Sequence, residues 1–208
     1  MHKTVIVRGL GLAICLTLFH PSPLFAQFSS VGVKGGVNLA SQKVTNDDEA
    51  DSGLTTFRGL VAGVFATLPI ASRLELQPEA LFVMKGSRFK EGGFTASVQL
   101  DYLEVPVLAR FSWRGASRNG FYAAGGPYVA FSLRSRTRTT FSGSTEEIDI
   151  SEDVERLDFG VAAGGGVERG RWVFDGRYTY GLKDVDKDKS DSVKVTNRGV
   201  SITAGYRF

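Results

Sequence analysis

The stretch from Arg171 to Leu182, RWVFDGRYTYGL, decides how the rest of the chain is read. Trp172, Phe174, Gly176, Tyr178, Tyr180 and Leu182 share one parity, and Val173, Asp175, Arg177 and Thr179 take the other. A repeat of two is the spacing of a β-strand, whose successive side chains point to opposite faces. One face of this strand is aromatic and the other carries charge.

The same alternation recurs along the chain. In YLEVPVLARFSW, Leu103, Val105, Val107, Ala109, Phe111 and Trp113 oppose Tyr102, Glu104, Pro106, Leu108 and Arg110. In RLELQPEALFVM, Leu74, Leu76, Pro78, Ala80, Phe82 and Met84 oppose Glu75, Gln77 and Glu79. In RLDFGVAAGGGVE, Leu157, Phe159, Val161, Ala163 and Val167 oppose Arg156, Asp158 and Glu168. The segment TFRGLVAGVFATL is apolar on both parities, so its facing stays open. Extended over the chain, the pattern predicts eight strands, near residues 30–41, 56–68, 73–85, 98–113, 119–134, 155–168, 171–183 and 198–208. The expected connections alternate in length. Those at 69–72, 115–118 and 169–170 are short, whereas those at 42–55, 86–97, 135–154 and 184–197 are long and polar.

An even number of strands with short turns at one end and long loops at the other is the layout of an outer-membrane β-barrel. A soluble eight-stranded calyx is the alternative, and polarity separates the two. A soluble barrel hides its apolar face, whereas a membrane barrel turns that face to lipid and keeps charge inside. Here the polar parity carries both signs: Lys34, Glu75, Glu79, Glu104, Arg110, Arg156, Asp158, Asp175, Arg177 and Arg207. Gly160, Ala162, Gly164 and Gly166 leave room beside them. Trp113 and Trp172 adjoin two different short turns, which predicts a girdle of interfacial aromatics at the periplasmic rim. The expectation is an all-β, eight-stranded, antiparallel, up-and-down transmembrane barrel with both termini periplasmic.

The two ends of the sequence add to this. The closing GVSITAGYRF alternates Val200, Ile202, Ala204, Tyr206 and Phe208 with small or polar residues. Residues 1–26 place His2, Lys3 and Arg8 before an apolar run from Leu10 to Phe19 and end on Ala26. That order predicts a secretory signal peptide, because about ten apolar residues fall short of the roughly 20 that span a bilayer. The barrel domain is then 27–208. Cleavage would also remove Cys15, His2 and His20, the whole complement of cysteine and histidine. The formal charge of +3 would drop to about +1, which gives no basic patch for nucleic acid.

Seven segments together resemble the outer-membrane beta-barrel family of porin-family proteins, small eight-stranded barrels of Gram-negative outer membranes. They are GVKGGVNLAS (32–41), LQPEALFVMKG (76–86), YLEVPVLARF (102–111), GPYVAFSL (126–133), LDFGVAAGGGVE (157–168), RYTYGL (177–182) and GYRF (205–208). The resemblance spans the mature chain. It implies that Tyr206 and Phe208 form the signal read by the barrel-assembly machinery. Chemically, such a strand suits pairing with an exposed sheet edge.

Catalysis and cofactor chemistry find little support in the residues. A serine hydroxyl needs a nearby base to become a nucleophile, and no histidine follows residue 26. Glu104, Asp158, Glu168 and Asp175 lie among arginines on the polar parity, where ion pairing accounts for them. Asp184, Asp186 and Asp188 alternate like a calcium loop but lack its turn glycine and bidentate glutamate, and lysines interleave them. No enzyme, catalytic residue, metal or cofactor is expected.

Arg134, Arg136 and Arg138 share a parity beside the longest loop. They are candidates either for contact with lipopolysaccharide phosphate or for pairing with Glu146, Glu147, Asp149 or Glu152. The expected partners are therefore outer-membrane lipid, lipopolysaccharide and, during biogenesis, the assembly machinery. The expected role is structural or surface interaction through four long loops, with an unidentified extracellular ligand. The alternative is a narrow channel for small solutes or ions.

Overall fold

The computed structural model describes residues 30–46, 55–91, 94–113, 119–141, 144–151, 155–183 and 193–208. The expected signal peptide, residues 47–51 and the Asp184–Asp188 segment lie outside them. Nine strands and no helix occur among the described residues. They are β1 (Ser30–Asn46), β2 (Thr55–Ala71), β3 (Leu74–Glu91), β4 (Phe94–Ser112), β5 (Asn119–Phe141), β6 (Ser144–Asp149), β7 (Leu157–Arg169), β8 (Trp172–Gly181) and β9 (Val193–Arg207).

Eight of them close a ring in the order β1-β2-β3-β4-β5-β7-β8-β9, every neighbour antiparallel. Closure is made by β1 and β9, paired from Gly32↔Arg207 to Asn46↔Val193. Closing a sheet on itself satisfies the backbone groups that an open edge would leave bare. The ninth strand, β6, folds back on the upper part of β5 beyond the ring.

Two expected loops are thereby corrected. Segments 86–97 and 135–154 are mostly strand: β3 runs on to Glu91, β4 starts at Phe94, and β5 continues to Phe141 before β6. On β4 the alternation runs on, with Phe94, Ala96 and Val98 opposing Thr95, Ser97 and Gln99, whereas its neighbours GSRFKE (86–91) and SRTRTT (135–140) are mostly polar and show none.

Inside and outside follow the alternation read from β8. Val173, Asp175, Arg177 and Thr179 are buried, while Trp172, Phe174 and Tyr178 are exposed. The same holds on β3, β4 and β7. On β2 the odd residues Phe57, Val61 and Phe65 turn inward and Leu60 and Val64 outward. Of the charged residues assigned to the interior, only Arg156 departs: it sits at the bend before β7 and is exposed.

Small residues make space for large ones across the interior. A Cβ at Gly166 would stand 2.6 Å from the Tyr122 hydroxyl, and one at Gly160 would stand 2.8 Å from the Tyr128 ring. Tyr102, Leu108, Tyr122 and Tyr128 pack there as one buried cluster. In a barrel of eight strands the side chains can fill the interior.

The short-turn end is compact. Gly170, with φ of +62°, supplies the left-handed residue of the Arg169–Trp172 turn. The Ser112 amide donates to the Arg73 carbonyl, Arg207 to Arg171, and Phe208 to Val31, at 2.8–2.9 Å. The last residue of the chain is thus tied to the first strand.

Candidate functional site

Three layers of charge cross the interior, and their order follows β3 upward from the short turns. The lowest joins Glu75, Arg110, Glu168 and Arg207. Arg110 lies 3.4 Å from Glu75 and 2.6 Å from Glu168, which also pairs with Arg207. The Arg110 guanidinium stacks 4.0 Å from the centre of the Tyr122 ring.

The middle layer centres on Glu79. Its carboxylate accepts hydrogen bonds from Lys34 at 2.8 Å, from Gln77 at 2.6 Å, and from two nitrogens of Arg177 at 2.6 and 3.1 Å. Arg177 also pairs with Asp175 at 3.2 Å, and the Tyr122 hydroxyl donates to Asp175 at 2.7 Å. In the upper layer Lys85 meets Glu104 at 2.7 Å and Asp158 at 3.8 Å, while the Asn197 amide donates to Asp158 at 3.0 Å. Tyr102 and Tyr128 hold the Lys85 ammonium near their faces, at 5.3 and 4.5 Å. Five cations thus face six carboxylates in the buried interior. Such groups persist there because each is paired. The acids considered as a catalytic pair, Glu104, Asp158, Glu168 and Asp175, are spread through all three layers, each against a cation or hydrogen-bond donor.

At the short-turn ends of their strands the structure brings three of the four aromatics named from the sequence into ring contact. Trp172 meets Tyr206 edge to face at 5.4 Å, and Tyr206 meets Phe208 at 5.8 Å. Trp113 packs on Phe111 at 5.4 Å. Arg171 donates to the Tyr206 hydroxyl at 3.2 Å. Phe208 itself is 63% exposed.

The opposite end carries the arginines. By parity alone Arg134, Arg136 and Arg138 would follow Tyr128 and Ala130 into the lumen. A bulge prevents this. Tyr102 pairs with Ser132 but Asp101 pairs with Arg134, so Leu133 is an extra residue and the facing of β5 reverses above it. The arginines therefore join the outer face of the extension, in cross-strand rows. Arg88, Ser97, Arg138 and Glu147 form one row, and Gly86, Gln99, Arg136 and Asp149 the next.

Arg136 and Arg138 both donate to Glu147, at 3.0 and 2.7 Å, and Arg136 also reaches Asp101 at 3.5 Å. The pairing considered for these arginines within their own loop is thus present for two of them, on Glu147. The hydrogen bonds from Arg138 and Arg136 hold the Glu147 carboxyl below its ordinary range. Arg134 lies one row lower, and Glu152 lies outside the described residues. A cavity of about 460 Å³ opens beside Arg136 and Arg138 and also takes in Arg58 and Arg88. Those last two residues escaped the sequence reading. The alternation of Phe94, Ala96 and Val98 with Thr95, Ser97 and Gln99 was the signal that a strand continues there.

Residues 25–187 match the family model described as outer membrane protein beta-barrel domain. A search of curated proteins finds no match. Among solved structures, the chain is similar to the attachment invasion locus protein Ail of Yersinia pestis, crystallised with the heparin analogue sucrose octasulfate. The identity is 15%, covering 86% of this chain and 98% of that one, with a TM-score of 0.46. It is similar to Neisserial surface protein A at 15% identity, covering 86% and 97%, with a TM-score of 0.44. For the outer membrane protein OprG from Pseudomonas aeruginosa the identity is 16%, the coverage 86% and 95%, and the TM-score 0.44. The family model covers most of the chain, and the chain belongs to the outer membrane protein beta-barrel domain family, as an integral protein of the outer membrane.

Proposed function

We propose that the protein is a non-conducting, non-enzymatic barrel that holds a small sheet above the outer membrane for contacts at the cell surface. The observation that carries this is the lumen itself. Three successive layers of paired charge, together with Tyr102, Leu108, Tyr122 and Tyr128, are buried along the lumen and support a plugged barrel. The surface part of the reading rests on β3, β4, β5 and β6, which extend past the ring as a four-stranded sheet. Among the described residues, β6 has a strand partner only in β5. A strand with one free side is a place where another chain can pair. No histidine or cysteine lies between residues 30 and 208, so nucleophilic chemistry lacks its usual base and thiol.

Conductance tests this directly. The refolded protein in a planar lipid bilayer should give a flat current at high salt. Reproducible single-channel steps would establish the narrow-channel alternative instead.

In the proposed orientation both termini are periplasmic and Trp113 and Trp172 sit at the inner interface. Tyr206 and Phe208 then serve as the strand end that the assembly machinery pairs with. Loss of the Phe208 ring takes away one exposed aromatic, worth about 1 to 3 kcal/mol of burial at most. Refolding into detergent should therefore survive deletion of Phe208, while surface levels in cells collapse. Wild-type surface levels of the truncated protein would reduce Phe208 to an ordinary rim residue.

A further inference from the structure

Charge at the short-turn end of the barrel is one-sided. The three short turns with their flanking residues, 69–73, 113–119 and 169–171, contain five arginines and no aspartate or glutamate. Arg73, Arg169 and Arg171 fall among the described residues, and all three are exposed. None of them takes part in an ion pair among the described residues. The acids nearest to them in sequence are engaged elsewhere: Glu75 is buried against Arg110, and Glu168 against Arg110 and Arg207. From Trp113 at this rim to Asp101 on β4 is twelve residues. At about 3.3 Å per residue and a tilt of about 40°, that is about 30 Å along the axis, enough to cross an apolar band about 25 Å tall. The rim arginines therefore stand at one membrane interface.

An apolar groove adjoins them on the outer face. A cavity of about 560 Å³ runs across β1, β2 and β3 between Val31, Val64, Ala66, Pro78, Ala80 and Phe208. The small side chains of Ala66, Pro78 and Ala80 leave it open beside the exposed Val31 and Val64. The Phe208 amide donates to the Val31 carbonyl, so the last ring stands at the groove's short-turn end. Around the barrel the order is β8, β9, β1, β2, β3, with Arg171 just before β8 and Arg73 just before β3, one on each side of the groove. Ala66 lies five residues from Ala71, the end of β2. By the same measure that is about 13 Å along the axis. A headgroup layer is about 5 to 8 Å thick, so with Arg73 among the phosphates the groove lies in hydrocarbon.

We propose that this rim is a site for an anionic phospholipid, its phosphate drawn to Arg73 and Arg171 and one acyl chain lying in the groove beside Phe208. Arginine forks suit phosphate oxygens, and their long stems let the charge reach the headgroups from an apolar surface. A lipid, more than a free anion, fits the join between unpaired cations and an apolar groove. In the orientation given above the site faces the periplasmic leaflet, and that assignment of leaflet rests on the orientation.

The test is a titration of the refolded protein in uncharged detergent with phosphatidylglycerol and with phosphatidylcholine of the same acyl chains, which carries no net charge. Binding is read by native mass spectrometry. Phosphatidylglycerol should bind at least about tenfold tighter, since one arginine beside anionic lipid is worth roughly a factor of five. Arg73→Gln with Arg171→Gln should remove that preference, and Arg58→Gln at the opposite end should leave it unchanged. Ala80→Phe, a change on the outer face that fills the groove, should weaken binding of both lipids and keep their ratio. It keeps the proposal testable even if the double variant does not fold.

Equal affinity of the parent for the two lipids overturns the proposal, as does a preference that survives the double variant or is lost in Arg58→Gln. Undiminished binding by Ala80→Phe, or competition by glycerol phosphate at equal concentration, overturns the lipid assignment in favour of a free-anion site. The orientation is checked separately: Thr145→Cys on β6 should react with an impermeant thiol reagent on intact cells. Labelling without lipid preference sinks this inference and leaves the orientation standing. Lipid preference without labelling overturns the periplasmic leaflet.

Discussion

Glu79→Gln should cost the folded barrel about 3 to 5 kcal/mol, the range for breaking a buried ion pair by removing one partner. The Glu79 side chain is wholly buried and its carboxylate is the one acceptor shared by Lys34 and Arg177. A neutral amide of the same shape would leave those two cations with Asp175 alone. Lys34→Met should cost less, about 1 to 3 kcal/mol, because Glu79 keeps both bonds from Arg177 and the bond from Gln77. The double variant should be more stable than Glu79→Gln alone, since it removes the cation that the missing carboxylate stranded. Urea unfolding in lipid vesicles measures all three. A loss under about 1 kcal/mol for Glu79→Gln, with additive effects, would mean that water screens the layer. The filled lumen would then be lost as an argument against conduction.

Much of this arrangement was legible before the structure, and the reason is physical. On β8, Asp175 and Arg177 alternate with Phe174 and Tyr178, so one strand announced both faces and the inversion of the usual polarity. With the same alternation on β1, β3, β4, β7 and β9, nine of the ten charged residues assigned to the interior were placed there, Arg156 being the exception. Which cation meets which acid was not legible, since Glu79 and Arg177 lie 98 residues apart and only closure of the ring brings them together.

On β2, apolar residues occur on both parities because Phe57, Val61 and Phe65 fill the lumen while their neighbours face outward. Hydrophobicity carries no facing signal there. A Cβ at Gly32 would stand 2.6 Å from the Phe65 ring, a match between β1 and β2 that no local window contains. The polar stretches 86–91 and 135–140 carry no apolar alternation, so 86–97 and 135–154 read as loops although they pair, and the short alternation at Phe94, Ala96 and Val98 was passed over. Finally, a one-residue bulge at Leu133 inverted the facing of Arg134, Arg136 and Arg138, and bulges leave almost no trace in composition.

The central claim is that the exposed apolar face meets lipid, and Val107→Arg tests it most directly. Val107 lies on the outer face of β4, halfway between Trp113 and Asp101, and is 39% exposed in the isolated chain. On the surface of a water-soluble barrel, an arginine at an exposed position would change stability by no more than about 0.5 kcal/mol. At the middle of a bilayer it should cost about 2 to 4 kcal/mol, because the guanidinium must be dehydrated or drag water into the hydrocarbon. Val107→Leu, which keeps the surface apolar, should be near neutral in either setting. The measurement is the unfolding free energy of the three proteins in the same lipid vesicles. A loss of about 2 to 4 kcal/mol confined to Val107→Arg is the result expected of a barrel embedded through this face. An arginine variant as stable as the parent would contradict it and return the soluble calyx as the reading of the fold.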